Sequence, residues 1–134
     1  MKTYNINNMT NGWFIGDFDP SVFKNCFFEV AHHQHSKGYK ADLHTHKIAQ
    51  ELTYIVKGKL NVSGTILSNG DIFVYEPYEM ADVEVLEDVD VIVVKWPSVP
   101  SDKYSKLEIT VDPVVVIPLT DSKNASVYVK FDDE

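Results

Sequence analysis

Only one cysteine, Cys26, occurs in the chain, which excludes an internal disulfide framework. No apolar run approaches the ~18–20 residues that a membrane-spanning helix needs. The first residues, MKTYNINNMTNG, carry polar Asn and Thr where a secretory signal places its apolar segment. A soluble, cytoplasmic protein with no membrane partner is the expectation. Basic charge is scarce as well: Lys and Arg total 12 against 20 for Asp and Glu, a net charge of −8. Such a surface has no general attraction for phosphate backbones or anionic lipid, so nucleic acid is not an expected partner. Long runs at helical period are missing too.

What remains is globular composition, with 44% hydrophobic and 12% aromatic residues over a length of 134 that suits one domain. Short β-type runs alternate with turn residues, predicting strands at 27–30 (continuing toward His35), 51–56, 59–62, 71–75, 83–86, 90–95, 107–111, 114–119 and 126–131. Gly58, Ser63-Gly64 and Asn69-Gly70 supply the positive φ of tight turns, which favours antiparallel pairing. An all-β sandwich, jelly roll or small barrel follows, and pattern alone leaves the three open. WPSVPSDKY, between two β-type runs, reads as an irregular connection that ends the main barrel. Asp132-Asp133-Glu134 reads as a solvated acidic tail.

The stretch from Gly38 to Gly58, GYKADLHTHKIAQELTYIVKG, carries the chemistry. On a strand, His44 and His46 share a face, so both imidazoles can enter one cavity. Glu51 follows after a four-residue link and opens the next β-type run, bringing a carboxylate opposite them. Two imidazoles and a carboxylate suit a divalent first-row metal: Fe, Mn, Ni, Co or Zn. Three protein ligands would leave positions open for water or substrate.

Gly38, five residues, His44-x-His46, four residues, Glu51, six residues, Gly58 resembles the first motif of the cupins, with Asn69-Gly70-Asp71-Ile72 downstream. The resemblance spans about Gly38 to Trp96. It implies a double-stranded β-helix, the cupin jelly-roll barrel, commonly a homodimer, with a divalent metal held inside by the residues matching His44, His46 and Glu51. Under that reading residues 1–134 form a single cupin domain. The barrel would cover about 26–98, with the N-terminal segment 1–25 and extra C-terminal strands in 105–134 packed on it or on a partner subunit.

The second cupin motif is degraded in GDIFVYEPYEMADVE. Its usual Pro falls on Glu76, its Gly on Tyr78, and its fourth ligand, His, on Ala81. Asp82 stands one residue later, and a one-residue offset on a strand turns a side chain to the other face unless a bulge intervenes. Asp82 is thus a metal-ligand candidate only through such a bulge. Tyr78, beside this motif, is a candidate substrate contact near the cavity mouth.

Upstream, Ala31-His32-His33-Gln34-His35 would place His33 and His35 on one face and His32 on the other. That face is either a solvent-exposed polar strand end or the wall of a cavity, where His33 and His35 would contact substrate. Cys26, before Phe27-Phe28, reads as buried core. Trp13-Phe14-Ile15 and Trp96 read as packing or dimer-contact residues.

Three functions fit. The first is a metal-dependent enzyme, of isomerase, lyase or dioxygenase type, acting on a small polar molecule such as a sugar, sugar nucleotide or oxo acid. The second resembles the metal-free nucleotide-sugar ketoisomerase branch of cupins, which carries a His-x-His-Lys run like His44-Thr45-His46-Lys47 and would use His46 as the catalytic acid and base. That branch commonly has an uncharged residue where Glu51 stands. The third is a non-catalytic cupin that binds a small ligand.

Overall fold

The computed structural model describes residues 1–105 together with Val114–Pro118 and Val127–Phe131. Among the described residues, eleven strands run in chain order: β1 (Trp13–Gly16), β2 (Phe23–Lys24), β3 (Glu29–His35), β4 (His44–Thr45), β5 (Gln50–Val62), β6 (Thr65–Ser68), β7 (Ile72–Tyr75), β8 (Val83–Trp96), β9 (Tyr104–Ser105), β10 (Val114–Pro118) and β11 (Val127–Phe131). Among the described residues, helix is confined to one 3₁₀ turn, Ile6–Asn8. None is long and apolar enough to cross a membrane. The predicted strand at 107–111 lies outside the described residues.

Two predicted breaks are absent. Residues 51–56 and 59–62 belong to one strand, β5, and residues 83–86 and 90–95 belong to β8. Gly58 does not turn the chain back. It sits at φ +110° where the β5–β8 register shifts, and a Cβ there would meet Asp88 O at 2.3 Å. Its missing side chain therefore permits a close strand approach within a bulge. Ser63-Gly64 does make the predicted tight turn, with φ of 49° and 89° between Val62 and Thr65, the last pair of the β5–β6 hairpin. The strand expected from Phe27 begins at Glu29, because Asn25 Oδ1 accepts the Phe27 and Phe28 N–H groups at 2.9 and 3.1 Å and holds a local turn. Cys26, inside that turn, is exposed rather than core.

The main sheet has the order β2-β1-β3-β8-β5-β6, with β7 on the first half of β5 beside β6 on its second. All neighbours are antiparallel except β1 and β2. N-terminal residues thus extend the sheet. Strand alternation sends Val85, Val89, Val91 and Val93 inward from β8 to meet Ala31, Ile55, Leu60 and Val62. Each buried Val, Leu or Ile here contributes roughly 1.5–3 kcal/mol. Trp13, half-buried, packs against this cluster, which matches its reading as a packing residue.

Facing the sheet, β4 pairs with β9, and the N–H groups of Ala81 and Tyr78 donate to His44 O and His46 O, each at 2.7 Å. Gly38 N and Ala41 N donate to Val85 O and Val83 O at 2.8 and 3.0 Å, joining this layer to the main sheet. The short His44–His46 segment is thereby hydrogen-bonded on both edges.

Candidate metal centre

Alternation along β4 decides which side chains meet. Thr45 is fully buried on one side, its hydroxyl donating to Glu79 O at 2.6 Å. His44 and His46 go to the other, their ring centroids 5.3 Å apart. Glu51 comes from β5 in the opposing sheet. One donor atom from each of His44, His46 and Glu51 lies within 4.8 Å of the others. The three candidates named from spacing are brought together.

Backbone carbonyls select the tautomers. His44 Nδ1 bonds Asp42 O at 2.7 Å, and His46 Nδ1 bonds Asp102 O. A carbonyl only accepts, so each Nδ1 carries a proton, and in the neutral ring Nε2 presents the lone pair that a metal needs. His46 Nε2 is buried with no hydrogen-bond partner, although Glu51 Oε2 stands 2.7 Å away off the hydrogen-bonding direction. At that distance a neutral Nε2 and the carboxylate repel, so the space between them suits a cation, either a proton, which makes a His46–Glu51 ion pair, or a divalent metal that takes the proton's place. The donor set therefore fits a divalent metal.

Electrostatics agree. Burial lowers the His44 pKa, helped by Lys103 and His46 and opposed by the Asp42 carbonyl and Glu51, which favours the neutral imidazole a metal requires. Burial alone would raise the Glu51 carboxyl, but its contact with His46, the positive charge that His46 and His44 carry when protonated, and Lys95 outweigh it and hold the group below its ordinary value, as a cation at this point would.

Two features escaped the sequence reading. Asp102, within the Pro-rich connection, is 3% exposed and accepts the N–H groups of Lys47, Ile48 and Ala49 at 3.0, 3.1 and 2.9 Å. Nothing in WPSVPSDKY signals that role. The second is a row across three strands, Glu29–Lys95–Glu51, on neighbouring register positions of β3, β8 and β5. Lys95 Nζ lies 2.9 Å from Glu29 Oε1, and Ser98 Oγ donates to Glu29 Oε2 at 3.0 Å. A signal existed here, since Lys95 continues the inward series Val89, Val91, Val93.

His44 and Glu51 face a cavity of about 870 Å³ lined also by Thr53, Phe73, Tyr75, Trp13, His33 and His35, with His46 behind its wall. Of the two readings left open for His33 and His35, the cavity wall is the observed one. His33 Nε2 donates to Asn11 O at 3.0 Å, and the His35 ring stacks on Tyr39 with centroids 4.0 Å apart. Burial lowers the pKa of both, with His35 adding to the effect at His33. His32, which also borders the cavity, pairs with Asp90.

Two candidates are corrected. Asp82 is neither in the donor group nor on the cavity wall; Ala81 takes the cavity-facing position, and alternation turns its successor away. The Asp82 N–H donates to the Tyr75 hydroxyl at 3.3 Å. Tyr78 is 53% exposed and does not line the cavity. Its backbone, at φ 70°, bonds His46 O, so its contribution is main-chain support.

No protein-family model matches the sequence, and neither does any curated protein. Solved structures do match. KdgF from Halomonas sp. has a TM-score of 0.53 at 26% identity, covering 57% of this chain and 74% of that one. An RmlC-like cupin from Shewanella frigidimarina has a TM-score of 0.50 at 21% identity, covering 58% and 72%. Bacillus subtilis oxalate decarboxylase, described with Mn(II) centres, has a TM-score of 0.52 at 17% identity, covering 60% and 24%. What these proteins share with the chain is the all-β double-stranded β-helix.

Proposed function

We propose that this small cupin holds one divalent first-row transition ion, Fe, Mn, Ni, Co or Zn, on His44 Nε2, His46 Nε2 and the Glu51 carboxylate, and acts on a small polar substrate. The observation that carries the reading is the convergence of one donor atom from each of His44, His46 and Glu51 within 4.8 Å, with His46 Nε2 buried and making no hydrogen bond. When bound, the ion would supply Lewis-acid polarisation of a substrate oxygen. The chain's own part is to receive the substrate. Lys103 on the cavity wall offers a positive charge, Thr53 and the imidazoles of His33 and His35 offer polar contacts, and Phe73 and Trp13 exclude water. A sugar, sugar nucleotide or oxo acid fits that mixture of surfaces. The likeness to KdgF and oxalate decarboxylase supports the same reading.

A metal-free acid–base role for His46 is less well supported, because that side chain is 5% exposed and lies behind the cavity wall. The test is turnover of a panel of small oxo acids, sugars and sugar nucleotides by native, chelator-stripped and remetallated protein. Stripping should abolish turnover, and returning the ion should restore it. Full activity in protein verified as metal-free overturns the proposal. A panel without turnover, with the ion still bound, identifies a non-catalytic ligand-binding cupin.

We also propose a homodimer. On the outer side of the main sheet, Val30, Val94, Leu52 and Val74 form one cross-strand row, and His32, Ile92, Tyr54 and Ile72 form the next. Tyr54, Val56, Ile72 and Val74 are exposed there, a contiguous apolar face of the kind a second copy covers. Light scattering should give twice the chain mass, and Ile72→Lys should shift it toward one; a monomer for the unaltered chain at tens of micromolar overturns this.

A further inference from the structure

Asp102 touches neither the cavity nor any donor atom turned toward the ion, yet it bonds both the second histidine and the loop that follows it. Two separate parts of the residue do this. Its main-chain carbonyl accepts the His46 Nδ1 proton, and its carboxylate accepts the N–H groups of Lys47, Ile48 and Ala49. That loop connects His46 to Glu51, so one residue holds one donor and the linker to the other. It reaches them from 53 to 56 positions away in sequence.

The surroundings make the arrangement stiff. Asp102 is 3% exposed and Ala49 is fully buried, so water cannot readily replace these bonds. Three N–H groups converging on one carboxylate are charge-assisted and stronger than neutral pairs. Two residues further on, Tyr104 and Ser105 pair with Thr45 and His44, fixing the same segment against the histidine strand. Asp102 therefore cannot shift without disturbing β4.

We propose that Asp102 is a positioning residue of the metal centre: it commits His46 to the Nδ1–H tautomer, so that Nε2 is the ligating atom, and it sets the spacing between His46 and Glu51. The inference rests on the metal-binding reading above. His44 supplies an internal control, because its tautomer is set by a different carbonyl, that of Asp42.

The test compares the full chain with Asp102→Ala and Asp102→Asn. Zn(II) affinity is measured by competition with a chromophoric chelator, and imidazole tautomers by ¹⁵N–¹H correlation spectra of the folded metal-free chain. Asp102→Ala should lose about 10–100-fold in Zn(II) affinity, the range seen when partners behind a ligand are removed. The main-chain carbonyl remains in Asp102→Ala but is no longer held in place by the carboxylate's bonds to the Lys47–Ala49 loop, so the His46 signals should move from Nδ1–H toward a mixture, while His44 signals stay put. Asp102→Asn keeps one side-chain acceptor and should recover part of both losses.

Unchanged affinity with an unchanged His46 tautomer in Asp102→Ala overturns the proposal. So does a change of equal size at His44 and His46, which marks general loosening. If Asp102→Ala does not fold, Asp102→Asn carries the same two comparisons against the unaltered chain. A chain that binds no Zn(II), Mn(II) or Ni(II) defeats the metal-binding reading itself. The tautomer shift on mutation would still be seen in that case, which separates the two failures.

Discussion

Purified after growth with divalent metals available, the chain should retain close to one ion per molecule, and Glu51→Gln should lower that affinity by more than about 100-fold. The bound is the upper end of what loss of an outer partner costs, and a direct ligand must exceed it. The substitution keeps the side chain's volume and removes its charge, so packing between β5 and its neighbours persists while the negative donor goes. His46→Ala should do the same by removing the lone pair that has no protein partner. Elemental analysis gives the stoichiometry and chelator competition the affinity. Stoichiometric binding that ignores changes at His44, His46 and Glu51 alike removes this site.

Lys95→Met should destabilise the protein by about 3–5 kcal/mol, the usual cost of leaving one member of a buried ion pair alone. Glu29 and Lys95 are 7% and 8% exposed, and their charges meet at 2.9 Å between adjacent strands. Met fills much the same space as the Lys stem beside Trp13, so what the change removes is the ammonium. Glu29 is then left with the Ser98 hydroxyl and no countercharge. Adding Glu29→Gln should recover most of the loss, because Glu29 then carries no uncompensated charge, while Glu51, which also feels Lys95, keeps its contact with His46. Urea unfolding of the two single variants and the double variant measures this coupling. A single-variant loss below about 1 kcal/mol would mean that the pair behaves as a solvated surface bridge.

The metal trio was legible in sequence because its geometry is local. Residues two apart on a strand share a face, and a four-residue link returns the chain to the opposing sheet, so His44, His46 and Glu51 announce one another. The Ser63-Gly64 turn was legible for a similar reason: positive φ at adjacent positions leaves few alternatives. Gly58 misled, because the same conformational freedom serves a hairpin turn or a bulge. Which one occurs depends on Asp88 of β8, a residue thirty positions away. Cys26 misled because its apolar neighbours suggested a strand, whereas the Asn25 side chain captures the N–H groups that a strand would pair.

By itself, then, the sequence determined the all-β class, the candidate donor atoms and the loss of the fourth histidine at Ala81. Only the tertiary structure decided that Asp82 stays out of the site, that His33 and His35 face the cavity, and that Asp102 and Lys95 stand behind the donors. The physical reason is the range of the interactions. Period-two alternation and turn chemistry act over a few residues and leave a mark on the sequence. Inward or outward facing, and bonds such as Asp102 to His46, depend on strand register between distant segments, which no local pattern of residues encodes.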